Sequence, residues 1–93
     1  MYEIYFGTAV KKDLKNLPKN ILDKVESVFT ILSKNPLLGD ALKGEFLGYL
    51  SYHFKYKNTE YRIIYEIKEK ELIVLIILVG SRENIYKQLK RRV

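Results

Sequence analysis

An α+β layer fold with the element order β-α-α-β-β-β-α is predicted by three observations on this 93-residue chain. Ile21, Leu22, Val25, Val28, Phe29 and Leu32 recur at the spacing of a single apolar helix stripe. Residues 47–57 and 60–67 alternate between apolar and polar side chains, the period of a half-buried strand. Leu72–Val79 is apolar throughout, as in a strand covered on both faces.

The elements follow in order. Residues 2–6, rich in Tyr, Ile and Phe, read as a short strand. Thr8 is the candidate N-cap of a first helix with Val10, Leu14 and Leu17 on one face. Pro18 suits the first turn of the second helix, where its missing N–H costs nothing. Asn35-Pro36 ends that helix. The two helices form a hairpin that can cover one face of a sheet. A loop with Gly39, Asp40 and Gly44 follows, then strands at 47–57, 60–67 and 71–79. Their connections at residues 57–60 and 68–71 are short, so the three strands form an antiparallel meander. Gly80-Ser81 ends the last strand, and Ser81 is placed to cap a short C-terminal helix from Arg82 to Arg91 with Ile85 and Leu89 inward. No repeat, linker or low-complexity segment interrupts residues 1–93, which read as one domain.

Composition narrows the function classes. A hydrophobic fraction of 47% excludes general disorder. With no Cys there is neither a disulfide framework nor a thiolate metal site. The one His has no cluster of carboxylates around it in the sequence, so no metal or other cofactor is expected. The apolar run at 72–79 is far short of the ~20 residues that span a bilayer. The N-terminus lacks the basic lead and long apolar stretch of a signal peptide, so the expectation is a cytoplasmic protein with no membrane partner. Charge is uneven. Residues 1–45 carry a net +1 and residues 46–93 a net +5, within a total of +6. A basic half on a near-neutral scaffold suits an acidic partner such as a nucleic acid or an acidic protein; the same charge also serves plain solubility.

Period two sorts the basic residues. Leu50, Tyr52, Phe54 and Tyr56 share one face of their strand, and Ser51, His53, Lys55 and Lys57 share the other. On the next strand Tyr61, Ile63, Tyr65 and Ile67 oppose Glu60, Arg62, Ile64 and Glu66. Burying the aromatic faces together fixes the parity of the hairpin. With Asn58-Thr59 as the turn, Lys57 opposes Glu60, Lys55 opposes Arg62 and His53 opposes Ile64. Two cations facing each other disfavour the ammonium form of Lys55 and point to a proton acceptor; splayed into solvent, they cost little. Arg82 and Tyr86, just past the last strand, lie one helical turn apart and can converge on this pair. The bland alternatives are an exposed His53, an Arg62 paired with Glu60 or Glu66, and a Tyr86 packed on the sheet.

Three segments resemble the RelE/ParE superfamily of toxin–antitoxin toxins: Leu42-Lys43-Gly44-Glu45-Phe46-Leu47-Gly48-Tyr49, Tyr61-Arg62-Ile63-Ile64-Tyr65-Glu66-Ile67 and Val79-Gly80-Ser81-Arg82-Glu83-Asn84-Ile85-Tyr86. The resemblance covers nearly the whole chain, and its element order is the one read above. RelE-like members cut mRNA on the ribosome with a basic cluster. By that resemblance Lys55, Arg62, Arg82 and Tyr86 match active-site positions. His53 stands where a strand Lys or Arg is common, a departure that either weakens phosphate binding or supplies a base. The resemblance also implies a cognate antitoxin, whose segments should be acidic or amphipathic to suit a basic face. ParE-like members share the fold and inhibit DNA gyrase, the alternative activity.

RNA cleavage without a metal uses the 2′-hydroxyl as nucleophile. It needs a base, a cation for the charge that builds on phosphate, and an acid for the departing 5′-oxygen. Arg62 and Arg82 suit the cation role, Lys55 or His53 the base, and Tyr86 base stacking or proton transfer. Lys57, Lys87, Lys90 and Arg91 are candidate RNA-backbone contacts, and Arg92 belongs to the same basic tail; favourable placement at a helix C-terminus is the other explanation for Lys87, Lys90, Arg91 and Arg92.

Overall fold

The apolar patterns explain where each strand and helix sits. The structure is a computed structural model that describes residues 1–81 and 83–93. In chain order the elements are β1 (Glu3–Phe6), α1 (Thr8–Lys15), α2 (Lys19–Lys34), β2 (Asp40–Ala41), β3 (Tyr49–Tyr56), β4 (Thr59–Lys68), β5 (Ile73–Ser81) and α3 (Ile85–Arg92). Short 3-10 turns at Pro36–Leu38 and Gly44–Phe46 flank β2. The sheet order is β1-β5-β4-β3-β2, with β1 parallel to β5 and the other pairs antiparallel.

The stripe on α2 does what its spacing implies. Ile21, Val25, Val28, Phe29 and Leu32 are buried, together with Val10 of α1, against Phe54, Ile63, Tyr65, Val74, Ile76 and Val79 of the sheet. Leu50, Tyr52, Tyr56, Tyr61 and Ile67 pack around this core, so the aromatic face is core and core edge. On the other face a smaller core of Ile64, Leu78, Ile85 and Leu89 seats α3. The β4–β5 register shifts between Ile64 and Tyr65, because Ile64 pairs with Leu78 and Tyr65 with Ile76. Ile77 is the extra residue of this bulge.

Several boundaries differ from the sequence reading. Thr8 is the first residue of α1, with Gly7 at the cap position and no side-chain cap bond. Pro18 occupies the cap position of α2 and does not enter its first turn. β5 runs on through Gly80 to Ser81, so Ser81 does not cap the last helix; Asn84 holds that position, at φ 62. The two-residue β2 lies in what reads as loop. It is placed by the phenol of Tyr65, which donates to Pro36 O at 2.5 Å and accepts from Gly39 N at 2.9 Å. Tyr65 is wholly buried, and desolvation raises its pKa above the usual tyrosine value. A Cβ at Gly39 would lie 2.5 Å from that hydroxyl, which explains the glycine.

The main correction concerns register. The turn of the β3–β4 hairpin is Lys57-Asn58, with Lys57 itself at φ 55, and not Asn58-Thr59. Lys55 therefore pairs with Glu60, His53 with Arg62 and Ser51 with Ile64. The shift is two residues, so every side chain keeps its face. The cation–cation pair of Lys55 and Arg62 does not form, and with it goes the repulsion that would have made Lys55 a base.

Candidate functional site

On the α3 side of the sheet, Arg62 of β4 is the central group. Its Nη1 donates to the buried Ser51 hydroxyl of β3 and to the Tyr86 hydroxyl of α3, both at 3.3 Å. Its Nη2 lies 3.0 Å from Glu60 Oε2. The Arg62 side chain is only 18% exposed. Its Nε is buried without a hydrogen-bond partner among the described residues. A charged donor held in this way is positioned but not saturated.

Tyr86 is held from two sides. Its ring stacks on Phe46 with centroids 6.2 Å apart, and Arg62 Cζ lies 5.8 Å from its centroid. Phe46 arrives on the 3-10 turn between Gly44 at φ 65 and Gly48 at φ 102, a left-handed geometry that favours glycine at both positions. Gly80, opposite Arg62 on β5, lies beneath α3, where a Cβ would make an ordinary contact with Ile85 Cδ1 at 3.4 Å. Tyr86 stays 40% exposed, so it can meet a ligand from solvent. The role of Phe46 was missed from sequence; an aromatic residue bracketed by two glycines was the available signal.

The other candidates divide. Lys55 faces Glu60 across the hairpin and lines an open hollow of about 640 Å³ with Asn58, Thr59, Glu60, Ser81 and Glu83. Glu60 links this hollow to Arg62. His53 is the cross-strand partner of Arg62, but its Nδ1 lies 3.6 Å from Asp40 Oδ2 on β2. Lys57 is not in this group. Its Nζ sits 5.9 Å from the Tyr56 centroid, and it lines a separate pocket with Pro18, Asn20 and Tyr61 on the helical-hairpin side. Lys87 and Lys90 are exposed on α3, and Arg91 lines a groove beside Ala9 and Ile77. Arg82 lies outside the described residues.

A family model described as the ParE-like toxin of type II bacterial toxin–antitoxin systems matches residues 4–90. The chain belongs to this toxin family. It is thus a RelE/ParE-superfamily toxin of a type II toxin–antitoxin module. It is 35% identical over 89 residues to Toxin RelG of Mycobacterium tuberculosis, covering 94% of this chain and 98% of that protein. It is 34% identical, with a TM-score of 0.74, to a chain in the M. tuberculosis toxin–antitoxin complex RelBE2, covering 87% of this chain and 98% of that one. A double mutant of Escherichia coli RelE in the free state superposes with a TM-score of 0.80 at 18% identity, over 99% of this chain and 97% of the other; this likeness concerns the fold alone. Among the described residues no helix of this toxin is long and apolar enough to cross a membrane.

Proposed function

We propose that this toxin is an endoribonuclease that cleaves mRNA on the ribosome and so inhibits translation. The observation that carries the reading is the convergence of Arg62 and Tyr86, from a strand and a helix, on the face that also bears Lys55 and His53. Arg62 neutralises the charge that builds on the scissile phosphate. Its guanidinium is already oriented by Ser51 and Tyr86, so little reorganisation is needed when the charge develops. Substrate phosphate has to displace Glu60 from Nη2 to reach the buried Nε, the edge of the fork that grips two oxygens. The exposed Tyr86 ring stacks on an unpaired base.

His53 is assigned as the base that takes the 2′-hydroxyl proton as that oxygen attacks the phosphate and the bond to the 5′-oxygen breaks, water protonating the 5′-oxygen that leaves; Asp40 Oδ2 lies 3.6 Å from Nδ1, which leaves Nε2 for the substrate. Lys55 lines the approach and holds the RNA backbone. By sequence position Arg82 is a second phosphate cation. The cognate antitoxin carries an acidic or amphipathic segment that covers this face. The solved complexes of RelE with RelB from E. coli and of RelBE2 from M. tuberculosis support an antitoxin partner.

A second reading has its own observation. His53, Arg62 and Lys55 each already have a carboxylate at hand: Asp40 near His53, and Glu60 beside Arg62 and opposite Lys55. That neutralisation suits inhibition of DNA gyrase by contact without cleavage, in keeping with the ParE-like description of the family. Inducing the chain without its antitoxin and mapping transcript ends separates the two. New 5′ ends inside coding sequences support the ribonuclease. Intact transcripts with DNA breaks support gyrase and overturn it.

A further inference from the structure

Among the described residues, Asp13 and Arg92, 79 positions apart, bond to none of the candidate site residues, yet they make the most heavily bonded side-chain pair. Arg92 Nη1 donates to Asp13 Oδ2 at 2.6 Å and Nη2 to Oδ1 at 2.7 Å, a two-point fork. The pair also grips β5. Asp13 Oδ2 accepts from Val79 N at 3.0 Å, and Arg92 Nη1 donates to Ile77 O at 2.9 Å. Ile77 is the bulged residue, and β1 pairs with β5 only as far as Ile76. The ion pair therefore supplies backbone partners to β5 where the parallel strand stops.

α3 needs such an anchor. An isolated helix of eight residues does not hold itself together in water. Its cap, Asn84, makes no side-chain cap bond. Only Ile85 and Leu89 of α3 are buried. Arg92 ties down its last turn, and Tyr86 sits in its first, with about 12 Å of helix between the two ends. We propose that Asp13 and Arg92 are positioning residues: their clasp fixes α3 on β5 and α1 and so holds Tyr86 against Arg62. The catalytic consequence rests on the ribonuclease reading above; the structural consequence does not. A helix released at one end tilts or frays, and a displacement of about 1 Å at a positioned group costs about 100-fold in rate.

The test uses the full chain as wild type, Asp13→Ala and Arg92→Lys. Lys keeps the charge but not the fork, and so gives a milder variant should Asp13→Ala fail to fold. Nuclear Overhauser contacts between the Tyr86 ring and the Arg62 side chain are measured with amide exchange along α3, and cleavage of ribosome-bound mRNA is followed in parallel. Loss of the Tyr86–Arg62 contacts is expected, with α3 exchange at least about tenfold faster and β3–β4 exchange unchanged. For Asp13→Ala, kcat should fall about 100-fold with little change in KM, and Asp13→Ala should cost nothing more in a Tyr86→Ala background. Retained contacts in a folded variant overturn the proposal. So do additive losses in the double variant, which would mean that the clasp acts on stability and not through Tyr86. If the wild type cleaves no mRNA, the ribonuclease reading fails, and the contact measurement alone decides the clasp.

Discussion

Arg62 and Arg92 each meet a carboxylate, one at either end of α3, and the two pairs are built differently. Arg92 is bound by both oxygens of Asp13 and gives a third bond to the Ile77 carbonyl. Hydrogen bonding to Asp13 raises its pKa further above an already high value. Arg62 shares one nitrogen between two hydroxyls, has a carboxylate contact through Nη2 alone, and keeps a buried Nε without a partner among the described residues. An arginine fixed through both oxygens of one carboxylate and a backbone carbonyl holds a fold together. One oriented by two hydroxyls, with its carboxylate on a single nitrogen, offers an oriented guanidinium to a ligand that displaces that carboxylate. The same side chain thus marks structure in one place and chemistry in the other, and the distinction lies in how its partners hold it.

The comparison breaks most readily at Arg62. Arg62→Ala should cut mRNA cleavage by about 10²–10³-fold, the usual cost of removing a preorganised charge-stabilising donor, while costing about 1 kcal/mol of stability as the Ser51 hydroxyl and Glu60 lose a partner. Single-turnover cleavage with thermal melts checks both halves. Asp13→Ala should show the reverse emphasis in stability, losing about 2–3 kcal/mol by denaturant unfolding, because it strands a partly buried guanidinium and the Val79 N–H. Equal stability losses at Arg62 and Asp13 would erase the contrast.

Two smaller effects sharpen it. Tyr65→Phe should cost about 1–3 kcal/mol, since Gly39 N–H and Pro36 C=O lose their partner. The sign of its pH dependence follows from the raised pKa. The folded state holds the phenol proton more tightly than the unfolded chain, so the contribution is complete below about pH 10 and is lost as pH rises through the folded pKa. The stability gap between wild type and Tyr65→Phe should therefore narrow above that pH in denaturant titrations. Last, His53→Ala should lose cleavage that added imidazole partly restores, by about tenfold or less, if His53 is the base. No rescue would contradict that assignment.

Much of this was legible in the sequence, for identifiable reasons. Alternation on β3 and β4 assigns the two sheet faces, and that assignment survives a two-residue slip because parity does. Arg62 and Lys55 thus share a face even though Lys55 meets Glu60 instead. The slip itself was hidden. Asn is the usual occupant of a left-handed turn position, and here Lys57 takes φ 55 instead. β2 is two residues long, too short for any periodicity, and is placed by a tyrosine hydroxyl that bonds to Gly39 from 26 residues downstream. The Asp13–Arg92 clasp joins the first helix to the last and bonds to β5 backbone, so no local pattern announces it. Phe46 and Tyr86 meet because the turn that carries Phe46 packs against the same small core as α3, a tertiary event.

The most direct measurement is single-turnover cleavage of mRNA on programmed ribosomes by the purified wild-type chain and by Arg62→Ala, with product ends mapped. The expected result is cutting at defined positions by the wild type and its near-complete loss in a folded Arg62→Ala protein. Undiminished cutting by Arg62→Ala, or none by the wild type under conditions where the chain arrests growth, would contradict the account.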